Sequence, residues 1–215
     1  IGAARVTTSH YSVIVKDTAQ MMIAGPALVD WARLGTVSKE ELGSSKIHTR
    51  NGSIDDEASS ETEAFSLAKQ FLSYLPSNVE QLPPRTACED PITRTAPELL
   101  DIIPRDPRKV YKMRKIINAV VDRGTFFEIG RQWGKSIITG LARIDGVATA
   151  VFAEDPMIYG GAWTADSCKK LIRLCDLAST FHLPLLHLVD CPGFLIGKQS
   201  EQAGTIRIGS TALAA

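Results

Sequence analysis

Several familiar devices are missing from this 215-residue chain, and each absence narrows what it can do. Neither sign of charge is in excess: Lys plus Arg and Asp plus Glu number 24 each. There is thus no global field to gather nucleic acid or an anionic membrane. No apolar run approaches the roughly 18 residues of a membrane span, so a soluble chain is expected. Cys88, Cys168, Cys175 and Cys191 make no CxxC pair, and no His stands beside them at ligand spacing. The expectation is reduced thiols in an intracellular compartment, with Cys168, Cys175 and Cys191 as small core residues and no metal site. Walker-A, GxGxxG and GxSxG patterns are absent, which removes the usual nucleotide sites and the serine-hydrolase elbow. The opening Ile1-Gly2-Ala3-Ala4 has no Met, basic segment or cleavage pattern, and Thr211 to Ala215 reads as a helix cut partway. Both ends are therefore expected to be internal to a larger protein.

What is present is an ordinary globular composition, 44% apolar and 22% charged. Tyr11 to Val15 predicts a strand, and Pro26 suits the first turn of a helix running to about Arg33. Val37 to Leu42 reads as one helical turn and His48 to Ala58 as a polar loop. Ser60 and Glu63 offer a capping box for a helix whose apolar stripe is Ala64, Ala68, Phe71, Leu72 and Leu75. Residues 76–107 then hold seven of the eleven prolines. This predicts a first region at 1–76, a linker at 77–107 and a second region at 108–215.

In the second region, Val110, Met113, Ile116, Ile117, Val120 and Val121 form a helical stripe. Phe126 to Ile129 follows, then strands at Ile137 to Ile144 and Val147 to Ala153 joined through Asp145-Gly146, a strong hairpin signal. A helix from about Ala165 to Phe181 and a strand from Leu185 to Val189 come next. Strand, helix, strand in that order predicts parallel strands and a right-handed crossover, hence an α/β fold.

Two loops hold the chemistry. Tyr159-Gly160-Gly161-Ala162 lies between a strand and a helix, where unpaired backbone N–H groups can face a developing negative charge. Glycine there lets a substrate approach the backbone. The second loop begins at Asp190, after the last strand, and breaks on Pro192 and Gly193. Asp190 is expected to cap that turn through an Asx-type bond. Glu201 and Arg207 are expected to hold the loop and the following helix by local polar bonds. His182 and His187 are read as non-catalytic.

The stretch Val189 to Gly209 carries, residue for residue, the pattern VDxPGFxxGxxxExxGxIRxG, and so resembles the β-type carboxyltransferase subunits of biotin-dependent acyl-CoA carboxylases. The likeness extends along the chain. Met22-Ile23-Ala24-Gly25-Pro26 is similar to MFxTGP, Glu40 to Gly43 to EELG, and Leu72 to Pro76 is LSYLP. Ile103-Pro104, Thr139-Gly140, Ala142-Arg143, Asp155-Pro156-Met157 and Cys175-Asp176 continue it.

That resemblance implies a crotonase (ClpP)-like ββα superhelix, the end of one half joined to most of a second. It implies transfer of a carboxyl group from carboxybiotin to the α-carbon of an acyl-CoA, or the reverse decarboxylation half-reaction. Biotin would arrive on a separate domain or subunit, coenzyme A as the thioester substrate, and no metal would serve this component. The implied donors are the backbone amides of Gly160, Gly161 and Ala162, and, in an altered motif, those of Gly2 and Ala3. Pro192, Gly193, Phe194 and Gly197 would line the substrate. The implied partners are a biotin carboxylase, a biotin carrier and further copies of the chain, with the site at a subunit interface, in the cytoplasm or the mitochondrial matrix. Trp31, Trp133, Trp163, Phe126 and Phe127 supply large aromatics of the kind found at interfaces.

The chain also departs from the pattern. Where the family reads GGAYSPALxDF, this sequence has Ile1 for the first Gly, Val6 for Pro and His10 for the acid. Trp163 follows the second donor loop and is expected to narrow its pocket. A further GGAY loop is expected beyond Ala215. The alternative reading is therefore a carboxyltransferase-like assembly subunit without catalysis.

Overall fold

A computed structural model of the chain describes residues 2–106 and 108–215, so the departures read at Ile1 lie outside the described residues, as does Pro107. The chain divides into two compact units, 1–70 and 71–215.

The first unit contains α1 (Gly2–Thr7), β1 (Val13–Val15), α2 (Pro26–Trp31), α3 (Lys39–Gly43), α4 (Ser45–His48) and β2 (Asp56–Ala58). Pro26 opens α2 as expected, and Arg33, at φ 57°, turns the chain out of it. Ser38 and Glu41 form a full capping box on α3. The expected loop at 48–58 ends instead in a strand, since β2 pairs in parallel with β1. Its register is set by a buried exchange: Ser12 N and Oγ donate to Asp55 Oδ2 at 2.8 and 2.9 Å, and Asp55 N donates to Ser12 Oγ at 3.1 Å.

Helix α5 (Glu61–Ser73) runs through the division between the units. Ser60 Oγ accepts from Glu63 N at 3.2 Å, one half of the expected capping box. The Glu63 carboxylate reaches Ser59 N at 2.7 Å rather than Ser60, one residue earlier than the pattern predicted.

The second unit holds α6 (Met113–Val120), β3 (Phe127–Ile129), β4 (Ile137–Ile144), β5 (Val147–Glu154), α7 (Ala165–Thr180), β6 (Leu185–Leu188), α8 (Lys198–Gln202) and α9 (Thr205–Ala214). The sheet order is β3-β4-β5-β6. β4 pairs antiparallel with β3 and β5, and β5 pairs parallel with β6, Ala150 opposite Leu185 and Ala153 opposite Leu188. Hairpin, crossover helix and parallel strand are thus the ββα unit expected. The turn has φ 51° at Asp145 and 75° at Gly146, the two positive values of a type I′ turn. Asp122 holds it from outside, accepting from Asp145 N at 2.9 Å and Gly146 N at 2.8 Å.

One face of the sheet packs Ile138, Ala142, Val151 and Ala153 against Met113, Ile117 and Val121 of the α6 segment. Val110 was expected on this helix; it precedes it and is exposed. α7 packs against β4 and β5, burying Cys168, Leu171, Leu174 and Leu177. Lys170, also buried, spends its ammonium on the carbonyls of Ile137 at 2.7 Å and Trp133 at 3.1 Å. The proline-rich stretch is fastened to this unit. Thr86 N donates to Gly146 O at 3.0 Å, and Arg94 Nη2 donates to the Ala119 and Val121 carbonyls at the end of α6, at 2.9 and 2.8 Å. Arg143 donates to Ser73 O at 2.6 Å and lies over the Tyr74 ring, 5.1 Å from its centre.

Candidate functional site

The first glycine loop leaves β5 at Asp155, whose Oδ1 accepts from Met157 N at 3.1 Å. Its Oδ2 accepts from Arg114 Nη1 at 2.7 Å. Three residues with positive φ follow: Tyr159 at 52°, Gly160 at 62° and Gly161 at 80°. For tyrosine this conformation costs on the order of 1 kcal/mol, and such strain collects at functional sites. Gly161 could not carry a side chain, since a Cβ would stand 2.7 Å from Asp190 O and 2.9 Å from Glu154 Cβ.

Three amides were expected to serve as donors here. Two of them act inside the turn: Gly161 N donates to Ile158 O at 3.0 Å and Ala162 N to Tyr159 O at 3.1 Å. The Gly160 N–H has no acceptor among the described residues, and a Cβ placed on Gly160 would meet nothing within 4 Å. Of the three amides, it is the one left open.

The second loop is joined to the first. Trp163 N donates to Gly193 O and Leu195 N to Trp163 O, both at 2.9 Å, a parallel bridge between Trp163 and Phe194. The two rings meet edge to face at 6.2 Å. Phe194 also lies on α9, where a Cβ at Gly209 would come within 2.3 Å of its ring, so the packing requires glycine there. Gly193 and Gly197, at φ 119° and 118°, bend the loop, and Gly204 at 67° separates α8 from α9. Trp163 was expected to narrow the pocket. It is instead buried, and its indole turns inward to donate to Glu154 Oε1 at 3.0 Å.

Asp190 does not form the expected Asx bond. Its carboxylate accepts the Tyr111 hydroxyl proton, while Gly193 N contacts Cys191 Sγ at 3.3 Å. Burial, and then this bond to an anion, push the Tyr111 hydroxyl well above the usual tyrosine range. Glu201 and Arg207 are exposed and make no side-chain bond among the described residues, contrary to expectation.

Sequence reasoning missed Glu154. It is fully buried at the end of β5. Besides Trp163 it meets His187 Nε2 at 2.9 and 3.1 Å and accepts from Asp190 N at 2.9 Å. His187 stacks on Phe152 with ring centres 3.7 Å apart. A lone acidic residue before Asp-Pro reads locally as a solvated strand end, so no short pattern marked it.

An open cleft of about 860 Å³ is lined among others by Gly134, Ser136, Met157, Tyr159, Leu195 and Thr205. The expected site residues Gly160, Gly161, Ala162, Pro192, Gly193, Phe194 and Gly197 do not line it, and the two loops reach it through Tyr159 and Leu195. In the first unit, Gly2 and Ala3 line another cleft of about 550 Å³, together with Val6, Val13, Met21 and Ile54. Its walls are largely apolar.

Cys88, Asp90 and Asp122 have ligand atoms within 4.8 Å of one another. Their carboxylates are already engaged, Asp122 by the hairpin amides and Asp90 by Arg94 at 3.2 Å and Arg123 N at 2.9 Å. Cys168 is buried, and that burial pushes its thiol up to about 11; Cys175 and Cys191, partly buried, are raised as well. Of the five large aromatics, Phe127 and Trp163 are core residues, whereas Trp31 is 81% exposed.

The carboxyl transferase domain model matches residues 1–215. The propionyl-CoA carboxylase beta chain of Roseobacter denitrificans is 36% identical over 95% of this chain and 40% of its own length. The human mitochondrial beta chain is 35% identical over 95% and 38%. The methylmalonyl-CoA decarboxylase subunit alpha of Propionigenium modestum is 35% identical over 95% and 40%. Among solved structures, transcarboxylase 12S, a hexamer seen with methylmalonyl-coenzyme A bound, superposes with a TM-score of 0.89 at 30% identity over 95% of this chain and 39% of its own. The chain thus spans about two fifths of the length of these relatives.

Proposed function

The chain belongs to the carboxyl transferase domain family, with its crotonase-like α/β fold, and we propose that it forms part of an acyl-CoA carboxyltransferase site. The observation that carries the proposal is the pair of joined glycine loops, with the Gly160 amide open and the residue before it, Tyr159, lining the cleft.

The reaction moves a carboxyl group between carboxybiotin and the α-carbon of an acyl-CoA, and negative charge develops on a carbonyl oxygen along the way. An N–H fixed in advance against that oxygen stabilises the charge without reorganisation; losing one such donor costs on the order of a hundredfold in rate. Gly160 takes that role, with the turn through Gly161 and Ala162 holding it rigid. Gly193, Phe194 and Gly197 shape the opposing loop, with Pro192 at its bend. In the first unit, Gly2 and Ala3 beside their own apolar cleft are the donors that the altered motif offers. Carboxybiotin, when bound, brings the carboxyl group and its own proton acceptor. No carboxylate base is then required of the chain. This fits the engagement of Asp155 by Arg114, the bond from Tyr111 to Asp190, and the burial of Glu154. A biotin carboxylase, a biotin carrier and further copies of the chain complete the assembly, in the cytoplasm or the mitochondrial matrix.

The alternative is an assembly subunit without catalysis. Val6 and His10 in the altered motif favour it, as do the two amides spent inside the turn. Labelled bicarbonate separates the readings. The full-length protein, with its carboxylase and carrier partners, is expected to place label on propionyl-CoA or a longer acyl-CoA. An intact assembly that labels no acyl-CoA supports the assembly role instead.

A further inference from the structure

We propose that Glu154 is the positioning residue that sets the two glycine loops against each other; only the kinetic arm of its test rests on the carboxyltransferase reading. A carboxylate with no solvent exposure is costly unless donors surround it. Here they come from three elements: the indole of Trp163 in the first loop, the main chain of Asp190 at the root of the second, and His187 on β6. Trp163 passes the constraint on, because its own backbone is bridged to Gly193 and Leu195. Gly161 closes the arrangement by packing directly on the Glu154 Cβ and the Asp190 carbonyl. Three points of the two loops, Trp163, Gly161 and Asp190, are thereby located by one side chain at the end of one strand. Gly160, the open donor, sits inside this span.

Only an acceptor on both oxygens satisfies the arrangement. Oε1 serves Trp163, Oε2 serves Asp190, and His187 lies within reach of both. In Glu154→Gln one oxygen becomes an NH2, so either the indole or the Asp190 amide must face a donor. Shape and volume are kept, which separates positioning from packing.

The test is hydrogen exchange on the full-length protein. In Glu154→Gln, the bonded amides of the two loops, Gly161, Ala162 and Trp163 in the first and Asp190 and Leu195 in the second, are expected to exchange on the order of tenfold faster, the loss of about one good hydrogen bond, with β4 and β5 unchanged. Adding Trp163→Phe to that variant is expected to return protection to 190–197, because the remaining Gln carbonyl then serves Asp190 alone. Trp163→Phe by itself loosens both loops to a smaller degree. In turnover, kcat of Glu154→Gln falls about tenfold or more with little change in KM, because displacing a transition-state donor acts on the chemical step. Unchanged exchange in both loops, in Glu154→Gln or in Trp163→Phe, overturns the proposal, and so do strictly additive losses in the double variant. A wild-type protein that transfers no carboxyl group overturns the proposed function, and the exchange pattern still judges Glu154.

Discussion

Replacing Gly161 by alanine tests most sharply how the loops are packed. The residue has φ 80°, and the new Cβ would lie 2.7 Å from Asp190 O and 2.9 Å from Glu154 Cβ. A left-handed alanine costs about 1–2 kcal/mol. Forcing a methyl into a filled space adds about 1–3 kcal/mol, for a total of about 2–5. Gly160→Ala is the internal control. It has φ 62° and nothing within 4 Å of its Cβ, so it carries the backbone cost alone, about 1–2 kcal/mol. The readout is the exchange-derived opening free energy of amides 190–197 in each full-length variant, since the clash falls on the carbonyl of Asp190. Gly161→Ala is expected to exceed Gly160→Ala by at least about 1 kcal/mol there. Equal losses would refute the reasoning, because they would mean that Gly161 is needed for its dihedral angles and not for its contact with the second loop.

Further expectations follow from neighbouring groups. Asp122→Ala leaves the Asp145 and Gly146 amides without their carboxylate and is expected to cost about 1–3 kcal/mol, visible as a lower unfolding midpoint. Arg114→Met removes the cation shared by Glu128 and Asp155, which are 13% and 6% exposed and among the described residues keep only Arg131 at 3.9 Å and Met157 N at 3.1 Å; discounted for the arginine's own 33% exposure, the loss is about 2–3 kcal/mol by thermal denaturation. Cys168, with its thiol pushed up to about 11, is expected to resist iodoacetamide in the folded protein at pH 8. Since the folded value lies above the unfolded one of about 9, its contribution to stability is complete below pH 9 and is lost as pH rises toward 11. Unfolding midpoints of wild type and Cys168→Ala are expected to converge over that window.

Much of the second unit was legible because its signals are local. Asp-Gly between two apolar runs gave the β4–β5 hairpin, and the 3.6-residue stripe through Leu171 and Leu174 gave α7. The parallel β5–β6 pair followed from strand, helix, strand order. Strand β2 was not legible, because Asp56-Glu57-Ala58 has no apolar alternation. What places it is the exchange between Ser12 and Asp55, 43 residues apart in sequence. Both glycine loops were found from composition and position, yet their internal bonds were not, since the split between spent and open amides depends on three successive positive φ values. Glu154 escaped for the same reason as β2: its partners come from 9, 33 and 36 residues away.

The central claim is that an acyl-CoA reacts beside Gly160, between the two joined loops. A crystal structure of the full-length protein with a non-reactive acyl-CoA analogue bound tests it most directly. The account predicts the thioester carbonyl oxygen at about 2.7–3.1 Å from Gly160 N, with Tyr159 and Leu195 lining the same cavity. An analogue bound elsewhere, with the Gly160 amide left facing water, would contradict it.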